Sequence, residues 1–371
     1  MTRVNDQHGG INLAQGMPNF PPPAELVEAA HRAIDGDFHQ YAITWGTPPL
    51  RRAIADKYRR FYGLEVDPDQ HVTVCCGSTE TMLATLLGVL NPADEVIIFE
   101  PFYENYGPGC IIAGAEPVFV PLEPPGWTFD PDRLAQAVSP RTRAVIFNSP
   151  NNPSGKVFSR AELQVIADLC LRHDLLAITD EIYEHIVYDG VQHTPIATLP
   201  GMAERTITIS GISKSYSVTG WRVGYALANP ELSVGIRRAH DFITVGAPHP
   251  LQQAAVTALG LPDSYYTALR ERYQQRRDLL LGQVIEAGFI AWTPKGAYYI
   301  LAEAAHLLAR HDCRDDHEFA MYLVKDVGVA TVPGSSFYAH RELGRTKIRF
   351  CFPKTDDMLI EAGRRLQKLA R

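Results

Sequence analysis

The sequence predicts an α/β protein: a large domain with a mostly parallel central sheet covered by helices, and a smaller α+β domain. Short apolar runs recur through the middle of the chain, and they are continuous rather than alternating. Such runs are typical of strands buried on both faces. Helical patterns lie between most of them, as expected when helical crossovers join parallel strands. After about residue 230 this pattern changes, which predicts the second domain.

Seven apolar runs are predicted as strands of the large domain, at 72–76, 95–99, 117–122, 143–148, 175–179, 205–210 and 222–228. The helical patterns between them cover 79–90, 103–114, 131–138 and 159–173. The last two runs are too close in sequence for a helical crossover, so we expect one antiparallel strand there.

A long polar helix over 262–287 is expected to link the two domains. Beyond it, the small domain is predicted from strands near 297–302, 329–332 and 347–352 and helices near 315–327 and 355–370. The N-terminal segment is too short to form a domain and should pack on one of the two. The predicted division is 34–270 for the large domain, and 1–33 with 271–371 for the small domain.

The composition excludes several classes of protein. Of the 371 residues, 35 are Lys or Arg and 42 are Asp or Glu, which gives a net charge of −7. A dedicated nucleic-acid or anionic-membrane binder would usually carry a basic face. No apolar run reaches the roughly 18 residues of a membrane span. The first residues lack the apolar core of a signal peptide, and the six cysteines are sparse, so a cytoplasmic protein is expected.

One group of residues resembles a metal site but is interpreted as a loop between helices. His311, Cys313 and His317 lie close together in the sequence. A zinc site needs convergent ligands, usually four, and no CxxC or HExxH frame is present. We therefore predict no metal.

Four polar side chains lie at or near predicted strand ends. Asn152 follows the run at 143–148, Asp180 ends the run at 175–179, Lys214 follows the run at 205–210, and Arg222 opens the next run. Ligand sites of open α/β sheets lie at such strand ends.

Each signal alone has a structural explanation, because a strand-end aspartate is often a helix cap and Asn-Asn-Pro is often a turn. Together, a lysine, a carboxylate, a Gly-Ser-Thr turn and a late arginine suit a pyridoxal phosphate enzyme.

These residues stand in stretches that together resemble one family. The stretches are INLAQGMPNF, QYAITWGTPPLRRAIA, NSPNNPSGKVFS, ITDEIYEHIVYDG, SKSYSVTGWRVGY and KIRFCF. From about Ile11 onward the chain resembles the fold-type I, class I aminotransferases, which depend on pyridoxal 5'-phosphate. It is most similar to the branch of kynurenine, glutamine, methionine and aromatic aminotransferases. The resemblance implies the fold predicted above.

The resemblance also implies a role for each matching residue. Lys214 corresponds to the Schiff-base lysine, which also moves the substrate's α-proton. Asp180 is expected to pair with the pyridine nitrogen, and Tyr183 with the phenolic oxygen of the cofactor. Asn152 would contact the same oxygen and the substrate carboxylate. Tyr103 would stack on the ring face.

The phosphate group should lie where the first strand of the large domain turns into a helix. Ser78 and Thr79 stand there, and a helix N-terminus favours an anion. The resemblance implies that Arg222 adds a fixed charge. It also implies that Tyr41 reaches the phosphate of the neighbouring subunit, so a homodimer with shared sites is expected.

Arg349 matches the family's arginine for the substrate α-carboxylate, for which a guanidinium fork is suited. Gly16 would offer its backbone to the same carboxylate. The expected partners are therefore small amino acids and 2-oxo acids.

The sequence departs from the family pattern at the phosphate site. Gly211 stands where the family often has serine, and Ser210 and Ser213 flank it without matching the position. We expect a slightly weaker phosphate site or a different donor. The segment before the INLAQG motif is also short, so either it is reduced or the start is misassigned.

The expected donor is an uncharged L-amino acid that is aromatic, sulfur-containing or glutamine-like. The candidate rim residues are mostly apolar or aromatic, although several could equally be core residues: Met17, Phe20, Trp45, Phe102, Tyr103, Val245 and Gly246. No second arginine is obvious for a distal carboxylate, which disfavours aspartate.

Two alternative functions remain open. The first is a cysteine-conjugate β-lyase (C–S lyase) on the same fold, because the two reactions share their early chemistry. The second is a cofactor-sensing regulator, disfavoured because only ten residues precede Ile11.

Overall fold

The computed structural model describes residues 1–370, and it begins with short elements at the N-terminus. Helix α1 spans Thr2–His8 and strand β1 spans Ile11–Asn12. Helices α2 (Ala24–Asp35) and α3 (Pro48–Tyr62) follow. β1 pairs in parallel with a strand of the small domain, while α2 packs against a helix of the 249–259 region. The predicted domain boundaries stay a prediction.

The large domain is built on a seven-stranded sheet within the described residues. Its strands are β2 (Val72–Cys75), β3 (Glu95–Glu100), β4 (Glu116–Pro121), β5 (Thr142–Asn148), β6 (Leu176–Asp180), β7 (Thr206–Gly211) and β8 (Gly224–Leu227). Their spatial order is β2-β8-β7-β6-β5-β3-β4. β3 to β7 pair in parallel, and β8 is antiparallel to both β7 and β2. The mostly parallel sheet and its antiparallel strand are therefore confirmed.

Helices connect and cover these strands. They are α4 (Ser78–Val89), α5 (Tyr106–Ile112), α6 (Pro131–Gln136) and α7 (Arg160–His173). Every residue of β3, β6 and β7 is buried. β3 and β6 contain the apolar runs that predicted this, whereas β7 alternates Thr or Ser with Ile and is buried on both faces all the same. The predicted helix over 103–114 begins only at Tyr106.

Three further helices lead to the small domain: α8 (Pro230–Thr244), α9 (His249–Leu259) and α10 (Asp263–Glu286). α10 is the predicted long helix, whereas α8 and α9 were not predicted. α4 and α8 pack with their backbones in contact, because a Cβ added to Gly88 would lie 2.5 Å from the carbonyl carbon of Gly235.

The small domain contains the remaining elements: β9 (Ile290–Ala291), β10 (Tyr299–Glu303), α11 (Ala305–Arg310), α12 (Asp316–Tyr322), β11 (Val329–Ala330), β12 (Val332–Pro333), β13 (Lys347–Cys351) and α13 (Asp356–Leu366). Its antiparallel sheet runs β12-β13-β10-β9. The helix predicted over 315–327 is α12 followed by a π-helical turn, Leu323–Val327. None of the described helices is both long enough and apolar enough to cross a bilayer.

Candidate active site

A cavity of about 210 Å³ opens at the C-terminal ends of β5, β6 and β7. Parallel strands of an open sheet place their following loops together at this edge, which is where a ligand is expected. Its walls are formed by Ser78, Thr79, Tyr103, Asn148, Asn152, Asp180, Ile182, Tyr183, Ser213, Lys214, Thr219, Arg222 and Tyr299. The structure thus brings together every predicted cofactor-binding residue except Tyr41.

Lys214 follows β7 and extends its amine into this cavity. Its Nζ donates to the carbonyl of Gly16 at 3.4 Å and lies 5.8 Å from the ring centres of Tyr183 and Tyr298. Burial lowers the pKa of Lys214 to about 8, although Asp180 opposes the shift. A lysine with a depressed pKa has a larger neutral fraction at neutral pH, which makes it a better nucleophile and base.

Asp180 ends β6 and is held by neutral donors. The hydroxyl of Tyr106 donates to its Oδ2 at 2.7 Å, and the N–H of Ile182 donates to its Oδ1 at 3.2 Å. Burial raises the pKa of Asp180 to about 6. A buried carboxylate without a cationic hydrogen-bond partner is suited to receive a positively charged ligand atom.

Tyr183 lies in the turn after β6 and is buried. Its hydroxyl is 3.0 Å from the hydroxyl of Tyr299 on β10. Asp180 and Tyr183 are three residues apart, and both line the same cavity.

The opposite end of the cavity is suited to an anion. α4 begins at Ser78, and Gly77 before it adopts φ 82°. The guanidinium of Arg222 lies where a Cβ on Gly77 would stand, so only glycine permits this approach. Arg222 itself has φ 54°, and its Nη1 donates to the carbonyl of Thr219 at 2.8 Å.

The departure at Gly211 has a structural reason. A Cβ there would lie 2.8 Å from the carbonyl oxygen of Val223 and 2.9 Å from the Cα of Gly224, where the neighbouring strand β8 begins. Ser210 points away from the cavity and donates to Glu184 at 2.7 Å. Ser213 lines the cavity. The weaker phosphate site or different donor expected from the sequence stays a prediction.

A buried polar cluster lies behind the cavity, centred on Glu184. It accepts hydrogen bonds from Lys57 of α3, from Ser210 at 2.7 Å and from Tyr62 at 2.8 Å. Burial raises the pKa of Glu184, but Lys57 outweighs that effect and lowers the pKa to about 2. The cluster ties α3 and β7 to the turn that carries Tyr183.

Arg349 on β13 reaches the mouth of the cavity. Its Nη1 donates to Asn152 Oδ1 at 3.0 Å, and its Nη2 donates to the carbonyl of Ala14 at 2.7 Å. The predicted neighbour Gly16 is close, but its carbonyl already accepts from Tyr298 at 2.7 Å.

A second, outer cavity of about 600 Å³ begins at this point. Several side chains that line this outer cavity also line the inner cavity. Its lining comprises Met1, Thr2, Ala14, Gln15, Gly16, Tyr103, Glu104, Asn152, Lys214, Tyr299, His317, Val332, Pro333, Ser336 and Arg349.

Tyr41 is 84% exposed and lies outside both cavities. Its predicted contact with the neighbouring subunit stays a prediction. Of the candidate rim residues, Tyr103 lines both cavities. Phe102 was a wrong choice, because it is buried in the core and stacks on Phe119 at 5.2 Å. Trp45 packs between the guanidinium groups of Arg51 and Arg237.

The residues considered as a metal site have separate partners. His317 Nε2 lies 3.1 Å from Ser335 Oγ, while the His311 ring stacks on Tyr322 at 4.8 Å. Elsewhere among the described residues, Cys75, Glu80 and His240 lie close enough to share a metal ion. Glu80 and the carbonyl of Thr44 already engage the His240 ring nitrogens.

Sequence reasoning missed several lining residues. Tyr299 and Asn148 line the inner cavity, and Tyr106 supports Asp180 from α5. Tyr106 stands three residues after Tyr103, and this closeness in sequence is the local signal that could have found it, although Tyr103 itself precedes α5. Tyr299 carries no such local signal.

The residues of the inner cavity fit pyridoxal phosphate. An amine with a lowered pKa, a buried carboxylate and a hydroxyl converge at one end of the cavity. The N-terminus of a helix and Arg222 form the other end. The space at Gly77 keeps that guanidinium next to the helix. Fold and site together define an enzyme of the pyridoxal phosphate type.

Comparison with known proteins makes the assignment more specific. A sequence model of the family aminotransferase class I and II matches residues 8–366, and the chain belongs to this family. The protein is a transaminase that depends on pyridoxal phosphate and acts on amino acids and 2-oxo acids.

The relatives span nearly the whole chain. The probable N-succinyldiaminopimelate aminotransferase DapC of Mycobacterium tuberculosis is 42% identical over 100% of this chain and 95% of its own. A solved structure of N-succinyldiaminopimelate aminotransferase from that organism matches with a TM-score of 0.95, covering 100% of this chain and 96% of its own. Human kynurenine–oxoglutarate transaminase 1 is 35% identical over 99% of this chain and 94% of its own.

Proposed function

We propose that the protein transfers the amino group of an uncharged L-amino acid to a 2-oxo acid in a ping-pong reaction through Lys214. The donor would be aromatic, sulfur-containing or glutamine-like. One observation carries this proposal: among the lining residues of the outer cavity, Lys214 and Arg349 are the only lysine and arginine. Arg349 is assigned to the α-carboxylate and Lys214 to the reaction, so no such cation is left for a distal carboxylate.

Arg349 binds the α-carboxylate of the donor with its guanidinium fork, and Asn152 orients that fork through its Oδ1. This anchor holds the α-carbon within reach of Lys214. The Lys214 amine would take the proton from the α-carbon and hold it on Nζ, which the lowered pKa of the free amine favours. Bound pyridoxal phosphate supplies the electron sink for the charge left on the α-carbon.

Asp180 and Tyr183 hold the cofactor ring. The Asp180 carboxylate would pair with the ring nitrogen and keep it protonated, and Tyr106 fixes the direction of that carboxylate. Tyr183 would donate a hydrogen bond to the phenolic oxygen, and Tyr103 would lie against the ring face. Ser78, Thr79, Ser213 and Arg222 bind the phosphate.

The active enzyme is proposed to be a homodimer in the cytoplasm. Apolar side chains are exposed together around one edge of α8, where Phe242 is 90% exposed. The segment before α3 is fixed beside it, because the Thr44 carbonyl contacts His240 Nε2 at 3.0 Å. A second copy of the chain would cover this surface, formed by Tyr41, Ile43, Phe242, Ile243 and Val245. The six cysteines are free, which suits a reducing compartment.

A second candidate donor is N-succinyldiaminopimelate, favoured by the 42% identity to DapC across the whole chain. This donor carries additional carboxylates, so it would need cations from a neighbouring subunit. The β-lyase alternative is not favoured, because the relatives are named as aminotransferases.

The test is an absorbance titration of the cofactor-loaded enzyme with single amino acids and no 2-oxo acid. The expected result is bleaching of the visible band by methionine, phenylalanine or glutamine. Faster bleaching by N-succinyldiaminopimelate would instead select the second candidate. A band that persists while pyruvate accumulates from a cysteine conjugate would contradict both. Lys214→Ala is the matched control, and it should show no bleaching with any donor.

A further inference from the structure

Tyr299 occupies a position that the proposed reaction does not yet use. It begins β10, is 3% exposed, and lines both the inner and the outer cavity. Its side chain therefore stands between the groups assigned to the cofactor and the arginine assigned to the substrate.

The hydroxyl of Tyr299 lies on the cofactor side. It is 3.0 Å from the hydroxyl of Tyr183. It also lies where a side chain at residue 16 would stand, so Gly16 is what gives the hydroxyl its space. Any larger residue at position 16 would push Tyr299 away from Tyr183.

The ring of Tyr299 lies on the substrate side. The guanidinium carbon of Arg349 is 4.5 Å from the Tyr299 ring centre and 4.7 Å from that of Phe337. These two rings enclose the guanidinium, while Asn152 and the Ala14 carbonyl bind its Nη atoms. Arg349 is therefore fixed in direction before any substrate arrives.

We propose that Tyr299 is a positioning residue with two separable effects: its hydroxyl donates to Tyr183, and its ring holds Arg349 at the carboxylate site. With Tyr299 as donor, the single proton of Tyr183 is free to point into the inner cavity. This inference rests on the proposed roles of Tyr183 and Arg349.

The direction of the hydrogen bond follows from the role proposed for Tyr183. Its one proton is assigned to the cofactor's phenolic oxygen, so at 3.0 Å it can only accept from Tyr299. Burial raises the pKa of Tyr299 to about 12, and Arg349 opposes that rise. Burial and the neighbouring Tyr299 and Asp180 raise the pKa of Tyr183 well above its usual range. The stronger acid of two phenols is the better donor, so these pKa shifts agree with Tyr299 as the donor. The other titratable groups facing the pair are Lys214, Tyr298 and Cys351.

Three variants of the cofactor-loaded enzyme separate the two effects. Tyr299→Phe removes the hydroxyl and keeps the ring, and Tyr299→Leu removes both. Tyr188→Phe is the matched control, because it also loses a buried hydroxyl, one that donates to the Ala297 carbonyl. Two quantities are measured without turnover: the pKa of the cofactor's visible band, and the dissociation constant of propionate, a plain carboxylate.

In Tyr299→Phe, Tyr183 donates less strongly to the cofactor's phenolic oxygen, whose anionic form it stabilises. The pKa of the band should therefore rise by roughly 0.5 to 1 unit. Propionate affinity should stay within about twofold, because the ring contact with Arg349 remains. Tyr299→Leu should show the same rise and bind propionate about threefold to tenfold more weakly. Tyr188→Phe should change neither quantity.

An unchanged band pKa in Tyr299→Phe would overturn the inference, as would equal loss of propionate affinity in the Phe and Leu variants. A thermal melt checks that each variant is folded, and Phe preserves the ring volume if Leu is not tolerated. The proposed function fails separately, if the wild-type protein shows no cofactor band or if Lys214→Ala retains turnover.

Discussion

Replacing Tyr106 with Phe should raise the pKa of Asp180. It should also lower the free energy of unfolding of the cofactor-free protein at alkaline pH. The Tyr106 hydroxyl donates to Asp180 Oδ2 at 2.7 Å, and only the N–H of Ile182 otherwise donates to the carboxylate from the described residues. Burial already raises the pKa of Asp180 to about 6. The Tyr106 bond opposes that rise because it stabilises the charged form, so its loss raises the pKa further.

The magnitude follows from the strength of that bond. A hydrogen bond to a charged group contributes roughly 1.5 to 3 kcal/mol. Since one pKa unit corresponds to about 1.4 kcal/mol, the pKa should rise by roughly one to two units, to about 7 or 8.

The raised pKa of Asp180 couples folding to proton binding. The pKa of Asp180 in the folded protein, about 6, exceeds the ordinary value of 3.8. The folded state keeps a proton that the unfolded state has lost, so stability falls as pH rises from about 4 to the folded pKa. In the variant this fall continues to about pH 8. The stability difference between variant and wild type should therefore grow by roughly 1.4 to 3 kcal/mol from pH 5 to pH 8.

Urea unfolding of the cofactor-free protein at these two pH values measures the difference directly. Tyr188→Phe serves as the control, because its hydroxyl donates to the Ala297 carbonyl, which does not titrate in this range. The decrease in the free energy of unfolding caused by Tyr188→Phe should be the same at both pH values. If the cost of Tyr106→Phe were also independent of pH, the assigned link between Tyr106 and the charge of Asp180 would be refuted.

Three further substitutions have defined outcomes. Lys214→Ala should abolish turnover with an unchanged circular dichroism spectrum, and full activity would contradict the assignment. Gly77→Ala should lower cofactor affinity about tenfold or more, because a side chain at φ 82° would displace the Arg222 guanidinium; equal affinity in a titration of the cofactor-free protein would count against this. Lys57→Met should cost about 3 to 5 kcal/mol by leaving Glu184 charged and buried. Adding Glu184→Gln should recover part of that loss in thermal denaturation, and no recovery would mean that the charge is not the cause.

The sequence was sufficient for the groups whose positions depend on a strand and its following loop. β6 ends at Asp180 and β7 precedes Lys214, so the parallel sheet alone brings these side chains to one edge. Strands β3, β5 and β6 were recognisable because burial on both faces leaves a continuous apolar run. The helix start at Ser78 could be placed for a similar reason, since it follows a strand and a glycine turn.

Contacts between segments distant in sequence could not be predicted. Tyr299 and Tyr183 are 116 residues apart, and their hydroxyl contact depends on how the small domain packs on the large one. Helix α9 was missed for another reason. Pro and His open it, and its buried face consists mainly of alanine, including Ala254 and Ala258, so its apolar pattern is weak. Phe102 was misjudged because an aromatic side chain suits a pocket rim and a core equally well.

The close crossing of α4 and α8 at Gly88 and Gly235 leaves no space between the two backbones, so a shift of one helix would press directly on the other. The first turn of α4 faces the phosphate end of the inner cavity, and the last turn of α8 carries the exposed Phe242. The association of the subunits and the binding of the cofactor would then be coupled, and one coupling free energy would describe the effect of each on the other. By reciprocity, saturation with pyridoxal phosphate should tighten the dimer by the same factor by which dimerisation tightens the binding of the cofactor.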